Sequence, residues 1–443
     1  MRNLIAAIDL GTSKVVCLVG EKTEAGIKII AINEAPAKGI SRGEVINIQS
    51  ALDSMAPTIS TIENTIGEKI TDVFIGIAGQ YIRCQQGTDH TTRTNQDELI
   101  TDAEIKQITK KMHDALCMEG EEVIHAIPQS YNIDDFMGIT EPVGMNGNQI
   151  FSNFKLIIGK KSSSHQKTNV MKRAGLNLKG MFFEPLASAK AVLDDEEREV
   201  GVALLDIGGG TTDLVIIRDN VVRHAAVIPF GGNSITEDLK QGCGVSAKVA
   251  EQLKTLHGAC MSSIAPDKNV RINGIGGRED KQISLKNIAE IIESRVEEIL
   301  EAAMYEIEKS GYLNQINSGL VITGGTSQLT NLQQFARLVT GMDIRLAVPN
   351  RQYAEIEIPI NKPSLSTAVG LVVMGFEKME EEGVKFNSTS TNWKKPTDAE
   401  KPSKEVSEPK TTKVQGPEKG RNFGWGNFFK QFKDDNMFNE NDA

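Results

Sequence analysis

The distribution of apolar residues predicts β-strands in the first 80 positions. Four apolar runs bounded by turn residues carry this pattern; they are LIAAIDLG (4–11), VVCLVGE (15–21), IKIIAINEA (27–35) and DVFIGIAG (72–79). Only short turns separate the first three runs, which is typical of antiparallel neighbours. A helical pattern from about Ile48 to Ile66 precedes the fourth. The segment therefore predicts three antiparallel strands, a helix and a buried strand.

The pattern changes between residues 80 and 162, where polar residues become frequent. Thr101 and Glu104 form the capping box of a helix that we expect to continue to about Cys117. Three strand-like segments follow, EEVIHAIP, SYNIDDF and FSNFKLIIG. We interpret this region as a small α+β insertion in a larger domain. After it, residues 165–193 predict a helix, a short strand (MFFEP) and a second helix (LASAKAVL).

A strand-loop-strand unit occurs twice in the chain. In the first copy Asp9-Leu-Gly-Thr closes an apolar strand, and in the second, VGVALLDIGGGTTDLVIIRD, Asp206 precedes the glycine-rich turn. Repetition of one unit predicts two related halves. A third turn, GLVITGGTSQLTNL, precedes a helix expected over about 329–339. A mostly helical block lies before it, at about 230–316, and SLSTAVGLVVMGF (364–376) predicts a further helix after it.

The last sixty residues differ from the rest of the chain. Residues 381–420 are rich in proline and in charges of both signs, which predicts a disordered linker because too little apolar area is available to offset chain entropy. In residues 421–440 four aromatic side chains share one side of a predicted helix; they are Trp425, Phe428, Phe429 and Phe432. Such a stripe favours a membrane surface, and the alternative is docking on the protein's own surface or in a partner's groove.

The overall charge excludes one class of partner. The 443 residues carry 49 Lys and Arg against 59 Asp and Glu, a net charge of −10. With no long basic run, binding to nucleic acid through its phosphates is not expected. The five cysteines lack a CxxC pair and the six histidines lack metal-ligand spacing. These observations argue against a disulfide framework or a zinc site and favour a reducing cytosol.

The glycine-rich turns carry the candidate chemistry. Glycine lets backbone N–H groups approach a phosphate, the hydroxyls of Thr12 and Ser13 add donors, and a carboxylate at a strand end holds Mg²⁺ through water. A single turn of this kind is more often an ordinary tight hairpin. Two such hairpins facing each other would grip a triphosphate, and this would explain why the turn occurs twice.

The three turns, in this order and spacing, resemble the phosphate 1, phosphate 2 and adenosine motifs of the actin, Hsp70 and sugar-kinase ATPase superfamily. The segments EPLASA (184–189) and PSLSTAVG (363–370) match its connecting helices. AIDLGTSKV, LLDIGGGTTDLVI, FGGNSITEDL, the insertion after IGIAGQYI and the aromatic C-terminus resemble the FtsA family of bacterial cell-division proteins. The resemblance implies an actin-like two-lobed α/β fold, with duplicated ribonuclease-H-like halves and an α+β 1C insertion.

The resemblance also implies subdomain boundaries. Subdomain 1A would comprise 1–79, 163–195 and 356–380, with subdomain 1C inserted at 80–162. Subdomain 2A would comprise 196–229 and 317–355, with subdomain 2B inserted at 230–316. The disordered linker would span 381–420 and the amphipathic membrane-targeting helix 421–440.

Roles for individual residues follow from the same resemblance. ATP and Mg²⁺ are the implied ligands, with Asp9 and Asp206 facing the metal through water and Glu184 as the candidate for orienting the attacking water. Nucleotide contacts are implied for Gly11, Thr12, Ser13, Lys14, Gly208, Gly209, Gly210, Thr211, Gly231, Gly232, Glu251, Lys254, Gly324, Gly325 and Gln328. From their spacing alone, Glu251 and Lys254 are predicted to form a solvated i,i+3 ion pair. Because phosphoryl transfer depends on positioning, we expect firm ATP binding and at most slow hydrolysis.

In function, the resemblance implies a protein that polymerises at the division site on the cytoplasmic side of the membrane, as a peripheral membrane protein. It would anchor FtsZ filaments (the Z ring) through the C-terminal helix and recruit later division proteins. Arg295 in IIESRVEEIL is the candidate FtsZ contact. One alternative is a PilM-like pilus adaptor, which should lack the aromatic helix. Others are an Hsp70-type chaperone, which would need a large substrate domain after residue 380, and a sugar kinase.

Overall fold

The computed structural model describes residues 3–384 except 25, 95–97, 116, 275–278, 354–357 and 359. The strands are β1 (Leu4–Leu10), β2 (Lys14–Thr23), β3 (Gly26–Pro36), β4 (Ile40–Ser41), β5 (Glu44–Val45), β6 (Asp72–Ile77), β7 (Arg83–Thr92), β8 (Glu121–Ile133), β9 (Phe136–Ile139), β10 (Gln149–Lys160), β11 (Asn177–Phe183), β12 (Val202–Ile207), β13 (Thr212–Arg218), β14 (Val221–Ile228), β15 (Asn269–Ile272), β16 (Lys281–Ser284), β17 (Leu320–Thr323) and β18 (Ile344–Leu346). The helices are α1 (Ile48–Ile66), α2 (Asp102–His113), α3 (Lys161–Arg173), α4 (Glu184–Val192), α5 (Asp195–Val200), α6 (Gly232–Cys243), α7 (Ala247–His257), α8 (Leu285–Ser310), α9 (Leu332–Thr340) and α10 (Ser366–Glu381).

Two lobes are built on five-stranded sheets of the same topology. The strand order is β3-β2-β1-β6-β11 in the first lobe and β14-β13-β12-β17-β18 in the second. In each sheet the first three strands in sequence are antiparallel neighbours, and the next two extend it in parallel. This identity of order confirms the predicted pair of related halves. It places Asp9 and Asp206 at equivalent positions, each one residue before the end of a central strand.

Helices α4 and α10 cross between the lobes. A Cβ at Gly370 of α10 would overlap the backbone carbonyl of Ala187 in α4, so the helices approach more closely than any side chain would allow. Apolar residues from both sheets, such as Ile5 in the first lobe and Leu204 in the second, share one core with these helices. The crossing fixes the end of β1 relative to the end of β12. It also places Glu184, the first residue of α4, beside the space between the lobes.

The insertion folds as a separate four-stranded antiparallel sheet, in the order β7-β10-β8-β9, with α2 against it. One continuous strand, β8, replaces the two strands expected from EEVIHAIP and SYNIDDF, so that prediction was wrong. Pro128 lies opposite Phe154 at a bulge in the ladder with β10, and β9 pairs with β8 only from Tyr131 onward. The missing N–H of Pro128 therefore interrupts no pairing.

The insertion is tied to both lobes by side chains of β8. Phe183 N, at the end of β11, donates a 2.9 Å hydrogen bond to Nε2 of His125. Burial lowers the pKa of His125 to about 4, which keeps the ring neutral and able to accept this bond. Gln129 Nε2 donates to Val222 O of the second lobe at 2.8 Å. Through His125 the insertion reaches the residue next to Glu184.

Three helix boundaries differ from the expectations. Helix α2 ends at His113 rather than at about Cys117. Helix α9 begins at Leu332 rather than 329, because a 3₁₀ turn at Gly325–Gln328 and a left-handed Asn331 (φ 63°) precede it. Helix α10 continues beyond 376 to Glu381, one residue into the predicted linker, since Glu, Lys and Met favour helix. Helix α1 confirms the predicted bounds, with Asn47 and Gly67 as its caps.

The predicted aromatic C-terminal helix lies outside the described residues, as does nearly all of the predicted linker. Among the helices that the structure does describe, none has the length and apolar character needed to cross a bilayer.

Candidate functional site

A cleft of about 530 Å³ opens between the two lobes, a volume typical of small-molecule sites. All of the residues predicted to contact nucleotide or metal line this cleft except Gly231. Gly231 lies behind the second glycine turn, where a Cβ would approach the carbonyl oxygens of Gly208 and Thr211 to within 2.8 Å. The fold therefore brings together residues that are more than 300 positions apart in the sequence.

The two predicted phosphate turns face each other in this cleft. A Cβ at Gly210 would lie 2.5 Å from Thr12 Oγ1, and a Cβ at Gly209 would overlap Ser13 Oγ. Ser13 Oγ also donates to Asn233 Oδ1, on α6 of the second lobe, at 3.4 Å. Because Gly209 and Gly210 carry no side chains, their backbone N–H groups stay open to an anion, whereas the N–H of Gly208 donates to Thr211 O. Asn233 was not among the predicted site residues, although it follows the Gly-Gly pair directly.

Four carboxyl groups line the inner end of the cleft: those of Asp9, Glu184, Asp206 and Asp213. Burial, reinforced by the charge of Glu184, raises the pKa of Asp9 to about 7. Burial also raises the pKa of Asp206 to about 6, although hydrogen bonds from Ser188 and Thr367 oppose the rise. Burial and the charges of Glu184 and Asp206 raise the pKa of Asp213 well above its ordinary value. Such crowding of buried carboxylates favours a bound cation.

Asp213 is a member of this group to which sequence reasoning gave no role. It pairs with Asp206 across the β12–β13 ladder, and its Oδ1 has no hydrogen-bond partner among the described residues. A buried carboxylate oxygen without a partner is costly, so a water or cation next to it would be stabilising. The signal was present in the sequence, since Asp213 lies inside the motif LLDIGGGTTDLVI.

The donor set fits Mg²⁺ held through water. In the part of the chain that the structure describes, no three His, Cys, Asp or Glu side chains are arranged to hold a metal directly. Mg²⁺ keeps several of its waters and takes other ligands from substrate phosphates, so it does not need such a group. Asp9 and Asp206, on opposite sides of the cleft, match this mode of binding, and the open Oδ1 of Asp213 provides a further acceptor.

Lys14 does not stand free in the cleft. Its Nζ lies 2.5 Å from Glu34 Oε2 and donates to Ser364 Oγ at 2.9 Å. Lys362 Nζ lies 3.7 Å from the other oxygen of Glu34. A phosphate would therefore compete with Glu34 for Lys14, and Lys362 would remain as a partner for the carboxylate.

Glu184 is held by a lysine that the sequence argument missed. Lys167 Nζ, on α3, lies 3.3 Å from Glu184 Oε1 and donates to Gly76 O at 2.9 Å. The Lys167 side chain is 0% exposed. A sequence signal did exist, because Ser163, Lys167, Val170 and Met171 fall at i, i+4, i+7 and i+8 and form the buried face of α3.

The predicted adenosine side of the cleft is built from α7 and the third turn. Lys254 Nζ lies 2.7 Å from Glu251 Oε2 and donates to Gly232 O at 2.9 Å and to Thr236 Oγ1 at 2.8 Å. The i,i+3 ion pair therefore exists, and both of its members also line the cleft. Glu251 is 47% exposed, which leaves it able to accept hydrogen bonds from a ligand. Thr326 Oγ1 donates to Gly208 O at 2.9 Å and links the third turn to the second.

Arg295 lies away from the cleft, on α8. Its guanidinium binds both carboxylate oxygens of Asp238 on α6 and also contacts Glu298. The side chain is 26% exposed. Any partner that uses this arginine would meet it within an ion-pair network.

Comparison with known proteins identifies the family. The family model described as "Cell division protein FtsA" matches residues 203–370, and the model of the "SHS2 domain inserted in FTSA" matches residues 79–158. The cell division protein FtsA of Pseudomonas aeruginosa is 31% identical over 392 residues, which cover 88% of this chain and 93% of that protein. The chain belongs to the FtsA family. FtsA of Neisseria meningitidis is 32% identical (83% of this chain, 89% of that protein), and FtsA of Escherichia coli K12 is 30% identical (85% and 91%).

Solved structures show that this FtsA-family chain has an actin-like fold. The PilM–PilN type IV pilus biogenesis complex matches with a TM-score of 0.61 at 13% identity, over 84% of this chain and 98% of that chain. MreB5 of Spiroplasma citri bound to ADP matches with a TM-score of 0.50 at 15% identity, over 86% and 97%. At these identities the likeness concerns the fold alone. The predicted fold class and family are both confirmed, and the chain is an actin-like cell-division protein.

Proposed function

We propose that this FtsA-family chain binds ATP with Mg²⁺ between its lobes and polymerises on the cytoplasmic side of the membrane. There it anchors FtsZ filaments at the division site and recruits later division proteins. The observation that carries the nucleotide part is the approach of the two glycine turns, in which Thr12 and Ser13 oppose Gly210 and Gly209. The ADP-bound state of MreB5, a protein of the same fold, supports a nucleotide in this cleft.

Each side of the cleft has a distinct task in this proposal. The hydroxyls of Thr12 and Ser13 and the N–H groups of the second turn bind the phosphates, while Asp9 and Asp206 hold waters of the metal. Bound Mg²⁺ supplies neutralisation of the phosphate charge. Glu251 accepts hydrogen bonds from the ribose, with Lys254 beside it. Gln328 borders the base; its Nε2 donates to Gly325 O at 3.1 Å in the structure.

Membrane binding is assigned to the aromatic C-terminal segment. Residues 421–440 carry Arg421, Lys430 and Lys433 against Asp434, Asp435 and Glu440, so attraction to anionic lipid contributes little. Full burial of one large apolar side chain is worth ~1.5–3 kcal/mol, and four partly buried aromatic residues give a weak anchor. Many such anchors on one filament bind firmly, because each additional contact is intramolecular. Assembly and membrane residence are therefore coupled.

Co-sedimentation with lipid vesicles tests the anchoring part. With ATP and Mg²⁺, the full chain should pellet with neutral and partly anionic vesicles alike and should bring FtsZ with it. A chain ending at residue 420, or a Phe428→Glu variant, should leave both proteins in the supernatant. Asn427→Glu, on the opposite side of the predicted helix, is the matched control. Equal pelleting of the truncated chain would contradict the proposed anchor.

The same assay tests Arg295 as an FtsZ contact. Arg295→Ala should keep the chain on the vesicles and lower the amount of FtsZ in the pellet. Asp238→Asn is the control, because it breaks the ion pair with Arg295 and leaves the arginine in place. If Asp238→Asn reduced FtsZ recruitment as strongly, the ion pair itself, rather than the arginine, would matter.

A further inference from the structure

Lys167 is the lysine that the described part of the protein buries completely. It lies in the middle of α3, and its Nζ reaches Gly76 O of β6 and Glu184 Oε1 of α4. Moving an ammonium group out of water costs several kcal/mol unless a carboxylate and hydrogen-bond acceptors compensate for it. A leucine or methionine would fill the same space without this cost, so the charge calls for an explanation beyond packing.

The residues around Lys167 enclose the side chain of Glu184. A Cβ at Gly76 would lie 2.5 Å from Cγ of Glu184, so the glycine provides the space that the glutamate occupies. The carbonyl of the same glycine accepts the hydrogen bond from Lys167. Strand β6, through Gly76, and helix α3, through Lys167, therefore fix the carboxyl group of Glu184 at the start of α4.

The two oxygens of Glu184 are in different situations. Oε1 accepts a hydrogen bond from Lys167, whereas no described residue donates a hydrogen bond to Oε2. The side chain is 13% exposed and lines the cleft close to the Asp9 and Asp206 carboxyl groups. A carboxylate held by one oxygen and open at the other is suited to accept a hydrogen bond from a water that attacks a phosphate.

We propose that Lys167 is a positioning residue for ATP hydrolysis, which holds Oε1 of Glu184 so that Oε2 faces the attacking water. This inference rests on the proposed function, since it requires ATP in the cleft. Lys167 itself is fully buried and does not line the cleft, so it would not contact a bound nucleotide. Its loss should therefore affect the transition state, in which the water must be aligned, and spare the binding of ground-state nucleotide.

The test compares Lys167→Met, Lys167→Gln, Lys167→Arg and Glu184→Gln with the parent chain. Lys172→Met, an exposed change on the same helix, is the matched control. Turnover of ATP gives kcat and KM. Two affinities are measured without turnover, for Mg²⁺ with a non-hydrolysable ATP analogue and for Mg²⁺ with ADP and aluminium fluoride, which mimics the transferring phosphoryl group. Thermal melting monitors the fold, and Lys167→Gln serves if the methionine variant fails to fold.

We expect Lys167→Met and Lys167→Gln to lower kcat by ~10- to 100-fold, the scale of a misplaced catalytic group, with KM changed less than about twofold. The affinity for the aluminium fluoride complex should fall by the same factor, while that for the ATP analogue is retained. Lys167→Arg should recover part of kcat. The double change Lys167→Met with Glu184→Gln should be no slower than Glu184→Gln alone, because both act through one group.

Three results would overturn the inference. The first is parental kcat and parental affinity for the fluoride complex in Lys167→Met or Lys167→Gln. The second is an equal loss of both affinities together with a lower melting temperature, which marks a structural lysine. The third is that the parent chain binds ATP but neither hydrolyses it nor binds the aluminium fluoride complex more tightly than the ATP analogue. In that case the proposed binding of nucleotide would still hold. If the parent chain bound no ATP, the proposed function would fail as well.

Discussion

Ser188 Oγ donates a 2.6 Å hydrogen bond to Asp206 Oδ2, which joins α4 of the first lobe to the end of β12 in the second. Thr367 Oγ1 of α10 donates to the same oxygen at 3.2 Å, and the two hydroxyls lie 2.9 Å apart. The carboxylate proposed to face Mg²⁺ is therefore oriented by the two helices that cross between the lobes. A change in the relation of the lobes would move Asp206 relative to these helices.

Ser188→Ala tests this link between the lobes. A hydrogen bond to a charged group contributes ~1.5–3 kcal/mol, so its loss should weaken Mg²⁺-dependent ATP binding by roughly tenfold, with Thr367 retaining part of the effect. Titration calorimetry with and without Mg²⁺ measures the change. Ser294→Ala, on the solvent side of α8, is the control. An affinity equal to that of the parent would show that Ser188 does not set the position of Asp206.

Asp9→Asn should stabilise the nucleotide-free protein in a pH-dependent way. The pKa of Asp9 is about 7 in the folded chain and ~3.9 in an unfolded one. Between these values the folded state holds a proton that the unfolded state has lost, so stability falls as the pH rises from about 4 to 7. At pH 8 the full penalty is present, and it is on the order of a few kcal/mol at ~1.4 kcal/mol for each pH unit.

Denaturant unfolding at several pH values, with a chelator present, checks this expectation. The gain from Asp9→Asn should be largest near pH 8 and vanish near pH 4. Asp114→Asn, at a side chain 64% exposed, is the surface control. A gain that stayed the same at both pH values would mean that the substitution acts through packing instead of charge.

Gly210→Ala should prevent the two phosphate turns from approaching. The added Cβ would meet Thr12 Oγ1 at 2.5 Å and Thr12 Cβ at 2.9 Å, both far inside van der Waals contact. We expect loss of detectable ATP binding, because the two turns could no longer hold the phosphates from both sides. Gly325→Ala, whose Cβ would have no atom nearer than 3.7 Å, should be milder. Parental binding by Gly210→Ala would show that the turns need not meet.

The inserted domain depends on Arg93, whose side chain is only 4% exposed. It donates to both oxygens of Glu104 and to the carbonyls of Glu98 and Gly147. The Arg93 hydrogen bond lowers the pKa of Glu104 to about 2, so this stabilisation is complete above about pH 4.3 and is lost as the pH falls towards 2.

Glu104→Gln should therefore destabilise the insertion at pH 7 by ~1–3 kcal/mol. Hydrogen exchange in β7 and β10 should report the loss, with the sheets of the two lobes unaffected. Lys106→Gln, on the exposed face of the same helix, serves as the control. Unchanged exchange in the insertion would refute the role given to this ion pair.

The sequence predicts the strand-turn-strand units because their signals are local. Asp9, Gly11 and Thr12 lie within four residues of one another, and the same is true of Asp206 and the glycines after it. Because the turn occurs twice, the sequence also predicts that the two turns face each other. Ser188 and Thr367 gave no such signal: each is a small polar residue within an apolar helix, and its role exists only because α4 and α10 cross above Asp206.

Other features depend on tertiary context in the same way. Helix α3 (KSSSHQKTNVMKR) has a polar composition typical of a surface helix, and only the approach of Glu184 gives Lys167 a buried counter-charge. Strand β8 continues through Pro128 because β9 does not pair with it at that point and the ladder with β10 has a bulge there. Spacing places Lys167 on the buried face of α3, but it encodes neither the counter-charge of Lys167 nor the continuity of β8.

In the proposed function, carboxylates from both lobes act together on one Mg²⁺-nucleotide complex. Calorimetric titration of MgATP into the parent chain and into Asp9→Ala and Asp206→Ala measures it most directly. We predict binding by the parent chain and a loss of at least tenfold in affinity in each variant, with both variants folded. Parental affinity in either variant would contradict the claim that the nucleotide is gripped between the lobes.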